Sequence, residues 1–330
     1  MRFSRPLPLI LAAVLITAPA LAEPPAVVAD IAPVHSLVAL VMGERGTPVL
    51  LMDAGANPHD FQMRPSQARA LAGADLVVRV GPEMTPWLDR ALAGTGAQGH
   101  VLGLLAAEGT LRRDYGAAHG DHDHGHGHDH EHVHADDHDH DDHAHDHDHH
   151  DHHGHSHEGT DPHAWLDPAN GRHWLGLIAE DLARLDPEGA RDYRENAARA
   201  AARIAILDAE IAARLEPLHD KPFVVFHDAY GYFTEHYGLV PAVAIAAGDA
   251  SAPGAARLQA VQAEIRDSGA RCIFPEAGHD PRLAETVAGG TGANMGPALD
   301  PEGTAQEPGP GLYEALLMQL ADNLAACLGD

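Results

Sequence analysis

The sequence reads as an α/β protein of two lobes joined by one long rigid helix. Three observations point there. Short β-rich runs alternate with helical patterns in both halves of the chain, the signature of α/β architecture. Between the halves lies an Ala/Arg/Glu-rich stretch of about 29 residues with no interior proline, longer than one globular domain usually needs. And 330 residues can bury a core large enough to divide into two domains.

The first 22 residues stand apart from these elements. Arg2 and Arg5 form a basic start, Leu7 to Thr17 an apolar run, and Ala20-Leu21-Ala22 a small-residue cleavage site before Glu23. The apolar run is short for a membrane span, and no cysteine follows the cleavage site to carry a lipid anchor. A signal peptide cleaved after Ala22 and export to a bacterial periplasm are expected.

The first lobe, residues 23–186, opens with AVVADI (26–31) and TPVLLM (47–52) as strands flanking a helix from His35 to Met42. Pro65 and Ser66 start a helix to Ala74, feeding the strand DLVVRV (75–80), and VGPEMTPWLDRALAG supplies the next helix. Residues 116–160 interrupt this lobe as a loop expected to be disordered, having almost nothing apolar to bury. A helix from Pro168 to Leu185 follows. Asp186 as N-cap and Pro187 at the first helical position then open the linker helix, 187–217. The second lobe, 218–330, alternates again: PFVVFHD, a helix over Tyr230–Tyr237, LVPAVAIA, a helix over Ala256–Ser268, RCIFPE, and a last helix over Gly311–Leu328.

The interrupting loop carries the strongest chemical signal. Between His119 and His157 it holds 19 of the 28 histidines and 12 acidic residues, with no lysine or arginine. Alternating imidazole and carboxylate is a ligand set for borderline divalent metals. The weak auxiliary ligands are His122, His124, His126, His128, His130, His132, His134, His138, His140, His143, His145, His147, His149, His150, His152, His153, His155 and His157. The plainer reading is a solvated acidic loop, but the alternation favours metal. Its internal position sets it apart from an expression tag.

Charge and cysteines set further bounds. The net charge of −28 becomes −30 without Arg2 and Arg5, which disfavours nucleic acid and anionic lipid and draws cations. Cys272 and Cys327, an even pair in an oxidising compartment, favour one disulfide, with two buried thiols as the alternative. Two cysteines exclude a four-thiolate zinc site.

Outside the loop, His59 in GANPHDF, His163 in DPHAWLDP and His227 in VVFHDAYGYF each sit at a loop or strand end. Each has an aspartate within two residues, Asp60, Asp161 and Asp228, able to fix the ring's tautomer. A lone histidine is usually an ordinary packed or surface residue; three in parallel contexts weaken that reading. His35 is taken as structural or cleft-lining, and His100, His173, His219, His236 and His279 as surface residues. Trp87, Trp165 and Trp174 are taken as packing residues.

At this point a family is recognisable. DIAPVHSLVALVMG (30–43), GANPHDFQMRPSQARALAGADLVVRVGPEM (55–84), DPHAWLDPAN (161–170), VFHDAYGYFTEHYGL (225–239), RCIFPEAG (271–278) and MGPALDPEG (295–303) resemble the ZnuA-type proteins. These are cluster A-I solute receptors of bacterial zinc ABC transporters. The resemblance implies a Zn2+ site in the inter-lobe cleft, with His59 and His163 from the first lobe and His227 from the second. It places Asp300 as fourth ligand, unless water takes that position, and leaves Glu276 as a support for a ligand. Some relatives carry an acid just before the first histidine, where this chain has Pro58. Manganese-binding relatives are expected to carry glutamate at position 227, and three imidazoles favour zinc.

The implied partner is the membrane permease of a zinc ABC transporter, served by a monomer. Two rivals share the chemistry: a zinc buffer or metallochaperone without a transporter, and a manganese or iron receptor of the same family. A zinc hydrolase would need a general base beside the metal, and outside the His-rich run, where HEHVH (130–134) arises from the alternation itself, the chain has no HExxH. No enzyme activity is expected.

Overall fold

The computed structural model describes residues 23–53, 55–115 and 159–329. The signal-like segment 1–22 and the His-rich run both lie outside these residues. The first lobe runs β1 (Val27–Ala29), α1 (Ala32–Met42), β2 (Val49–Leu50), α2 (Pro65–Ala72), β3 (Leu76–Arg79), α3 (Trp87–Thr95) and β4 (His100–Gly103). Its strands are all parallel in the order β2-β1-β3-β4.

Two helices lead out of it: α4 (Pro168–Leu185) and α5 (Ala190–Leu215). The second lobe runs β5 (Phe223–His227), α6 (Gly231–His236), β6 (Val243–Ala246), α7 (Ala255–Ser268), β7 (Cys272–Ile273), α8 (Arg282–Gly289), β8 (Asn294–Met295) and α9 (Leu312–Leu328). Its parallel sheet, β6-β5-β7-β8, repeats the topology of the first. Among the described residues, no helix is long and apolar enough to cross a membrane.

α4 follows its sequence signals to the residue. Asp167 caps it by accepting the Ala169 N–H at 2.7 Å, and Pro168 fills the first helical position. α5 starts three residues later than expected. Asp186 turns the chain instead, accepting the Gly189 N–H at 3.1 Å and the Tyr193 hydroxyl at 2.8 Å. The 26-residue helix then buries Tyr193, Ala197, Ala200, Ile204, Ile211 and Leu215, a stripe at helical spacing. It packs along α4 and touches α1 and α9.

Three short elements, β4, α8 and β8, carried no expectation from the sequence; β4 and β8 are edge strands of two to four residues. The last helix does more than complete the second lobe. α9 packs on α1 and α5, its Tyr313 N–H donating to Ser36 Oγ at 3.0 Å, while Cys327 near its end is disulfide-bonded to Cys272 on β7. One large core therefore runs through both lobes, and a smaller one (Val224, Ile245, Val261, Ile265 and neighbours) fills the second lobe under α7 and α8.

Candidate metal centre

Parallel sheets present ligands beyond the carboxyl ends of their strands. Here the loops after β2, β4, β7 and β8, which carry His59, His163, Glu276 and Glu302, converge with the end of β5, which carries His227.

Each histidine is held by a different device. The His59 loop is anchored by Trp87, whose indole N–H donates to the Pro58 carbonyl at 2.8 Å, and by Asn57, whose side chain accepts the His59 N–H at 2.9 Å. His59 Nε2 is buried with no hydrogen-bond partner, the state of a nitrogen that awaits a ligand. His163 is fully buried, and its Nδ1 and backbone N–H both donate to Asp161 Oδ1, at 2.8 and 3.0 Å. His227 ends β5; its Nδ1 donates to Glu276 Oε2 at 2.7 Å, and that oxygen also accepts from the Tyr230 hydroxyl at 3.1 Å. With Nδ1 committed on His163 and His227, Nε2 is the nitrogen left for a metal.

The structure brings the three together. The rings of His59 and His163 lie 5.7 Å apart and those of His163 and His227 5.2 Å apart. His163 Nε2 and His227 Nε2 are separated by 3.4 Å. Two nitrogens each about 2.05 Å from a tetrahedral zinc ion stand about 3.3 Å apart, so this pair is already at ligand spacing. Glu302 joins two of them: one ligand atom from each of His59, His163 and Glu302 lies within 4.8 Å of the others, and His227 meets this group through His163 Nε2.

Asp300 is not in that group. One of its oxygens accepts from the Thr304 N–H at 2.9 Å and the other from the Ala305 N–H at 3.0 Å, so its carboxylate shapes the loop that delivers Glu302.

Burial and mutual charge split the protonation of these groups. Burial and the neighbouring His163 and His227 push the His59 pKa down to about 3. For His227 burial acts downward too, but the Glu276 carboxylate outweighs it and lifts the value to about 9. Burial raises Glu302 to about 8. Without metal, the Glu276 carboxylate favours the protonated form of His227.

The aspartates beside the three histidines fare unevenly. Asp161 does fix its ring, whereas the partner of His227 is Glu276 rather than Asp228. His35 is structural, its Nε2 meeting the Pro48 carbonyl at 3.1 Å. Several of the remaining histidines, expected as unpartnered surface residues, have partners: His100 lies 3.1 Å from Asp181 and His173 Nε2 lies 2.8 Å from the Glu108 carbonyl. His236 sits between Asp167 and Asp208, at 3.0 and 2.8 Å, and His279 stacks on Phe226 and lies 3.4 Å from Glu276. Trp165 packs against His163 and donates to the Pro301 carbonyl at 2.7 Å, tying the His163 loop to the Glu302 loop. Glu302 itself had no marker in the sequence, since its neighbours Asp300 and Pro301 look no different from an ordinary turn.

The family profile described as "Zinc-uptake complex component A periplasmic" matches residues 27–327. The chain belongs to the ZnuA family. A ZnuA relative from Paracoccus denitrificans, named a high-affinity zinc uptake system protein, is 61% identical over 98% of this chain and 99% of its own. The Brucella abortus ZnuA of the same name is 44% identical, covering 92% and 91%. Among solved structures, a ZnuA deletion mutant with zinc bound superposes with a TM-score of 0.71 at 22% identity, over 92% of this chain and 98% of that one. The last likeness is one of fold, and it agrees with the two parallel-sheet lobes described above.

Proposed function

We propose that this protein is a high-affinity periplasmic zinc receptor, which captures Zn2+ as cargo and hands it to the permease of an ABC transporter for import. The observation that carries the reading is the ligand-spaced pair His163 and His227, contributed by different lobes and joined by the orphaned nitrogen of His59. Three imidazoles and one carboxylate form a tetrahedral set suited to zinc. ZnuA relatives named for zinc uptake support the choice of metal. The full burial of His163 and His227 supports tight capture, and the assembly of the site from two lobes supports release by their separation.

In this reading Glu302 takes the fourth position, because it is Glu302 that places a ligand atom within 4.8 Å of His59 and His163, while the Asp300 oxygens accept from the Thr304 and Ala305 N–H groups. The family's description as a periplasmic component accords with the signal-like segment at residues 1–22.

The test is zinc titration of the chelator-stripped protein against a competing chelator. One tight site is expected, weakened about 10-fold or more by H59A, H163A or H227A, since each decade costs only about 1.4 kcal/mol of lost ligand energy. E302Q should weaken it similarly, and D300N should lower stability more than affinity. Full affinity in H227A would refute the site, and a loss confined to D300N would return the fourth position to Asp300.

A further inference from the structure

Arg113 lies just before the His-rich stretch and has no counterpart among the ligands, yet its surroundings single it out. Its guanidinium is 10% exposed and donates from Nη1 to Asp161 Oδ2 at 2.8 Å. The other oxygen of that fully buried carboxylate holds His163 Nδ1. Thus a line of two contacts runs from Arg113 through Asp161 to a metal-binding ring. The backbone reinforces it, because the Asp161 N–H donates to the Arg113 carbonyl at 3.0 Å.

The other side of the guanidinium meets the second lobe. It stands over the Tyr232 ring, with Cζ 5.8 Å from the centroid, and its Nε is 3.5 Å from Glu235. The Tyr232 hydroxyl accepts the Arg113 N–H at 3.0 Å and donates to the Asp161 carbonyl at 3.0 Å. Most telling is Gly231: a Cβ there would lie 1.5 Å from Arg113 Nη1. The absent side chain at 231 makes a socket, and Arg113 fills it. Gly231 is the first residue of α6 and does not have a positive φ, so its own backbone does not demand glycine.

We infer that Arg113 is a positioning residue for the zinc site: seated in the Gly231–Tyr232 socket, it presses the Asp161 carboxylate onto His163, so that the orientation of a first-lobe ligand depends on the approach of the second lobe. Arginine suits the task. Its planar fork donates to a carboxylate and stacks on an aromatic ring at once, which the point charge of lysine does not do. A buried carboxylate stripped of its cation carries a desolvation penalty that it relieves by moving or taking a proton. Either response would loosen His163. The inference rests on the zinc site proposed above and adds a coupling between that site and the lobe interface.

The experiment measures zinc affinity, zinc release rate and the visible spectrum of the Co2+-loaded protein for the full chain and for R113A, R113K, G231A and R113A/G231A. Substituting groups that orient a metal-ligating histidine commonly costs 10- to 100-fold in affinity, so a loss of about that size is expected in R113A, mostly as faster release. G231A should match it from the other lobe by evicting the guanidinium, although alanine favours a helix. The double variant should be no worse than either single, because both remove one seat. The cobalt bands should shift in each, and R113K should recover part of the affinity.

Additive losses, or an R113A protein with affinity within 2-fold of the parent and unchanged cobalt bands, would overturn the inference. If R113A does not fold, G231A and R113K decide it by the same criteria. A parent protein that takes up no tight zinc would instead sink the functional reading itself.

Discussion

His163 Nε2 and His227 Nε2 face each other at 3.4 Å, the spacing that two ligands of one zinc ion adopt. His227 titrates at about 9 and Glu302 at about 8, while His59, at about 3, is already bare. Zinc must displace the first two protons at neutral pH, so binding should release on the order of two protons per ion. The sign follows: affinity rises as pH rises toward 8, by up to about 100-fold per pH unit while both groups hold protons, and levels off above 9. Calorimetry in buffers of different ionisation enthalpy counts these protons, and an affinity that is flat from pH 6 to 9 would contradict the assignment. The three histidines were readable in the sequence because each follows a turn or ends a strand. Their supports were less so. Successive residues of an extended chain point to opposite faces, so Asp228 is the wrong neighbour for His227, and Glu276 reaches it from the end of the adjacent strand β7. A contact made between strands leaves no trace in local spacing. Glu302 is hidden for the same reason.

Helix boundaries were readable where a cap and an amphipathic stripe agreed, as in α4, and slipped where a side chain made a tighter turn, as Asp186 does before α5. β4, α8 and β8 escaped notice because two to eight residues at a sheet margin bury too little to show a period. One inter-element contact has a pH signature. His236 of α6 places Nδ1 on Asp167, the cap of α4, and Nε2 on Asp208 of α5. Burial lowers its pKa, but the two carboxylates win and raise it above the usual value; Arg172 also lies 3.9 Å from Asp208. A raised folded pKa means that the contribution to stability is complete below about 6.5 and fades as pH climbs through the folded value. H236Q should therefore cost about 1–3 kcal/mol at pH 6 and progressively less in more alkaline buffer. Urea melts of both proteins across pH 5.5–9 check this, and a gap that widens with pH would reject it.

The two lobes share one strand order, and α9 ties them together through α1, α5 and β7. The disulfide fastens that helix to β7 across 55 residues of chain. On the chain-entropy account, reducing it should cost roughly 4 kcal/mol, with zinc affinity kept within about 2-fold because neither cysteine touches the site. Denaturant melts with and without reductant, followed by zinc titration, test both halves of that statement. The His-rich run, outside the described residues, is expected to add weaker zinc ions that are lost near pH 5.5 as imidazoles with pKa near 6.5 take up protons. Deleting 119–157 should remove them and leave one tight ion, as native mass spectrometry can count. A deletion protein with no tight zinc would join the run to the primary site.

Between the lobes, α5 acts as a beam. At 1.5 Å per residue its 26 residues extend about 39 Å. α4 lies along it and α9 touches it, so bending is resisted and any parting of the lobes would be a rotation. Zinc–nitrogen distances tolerate only about 0.2 Å, so a small rotation between the lobes would be enough to undo the site. Unloading is then a question of leverage. A partner that grips the outer rims of both lobes would need no access to the ion, since a small torque at the rim would loosen the grip at the centre.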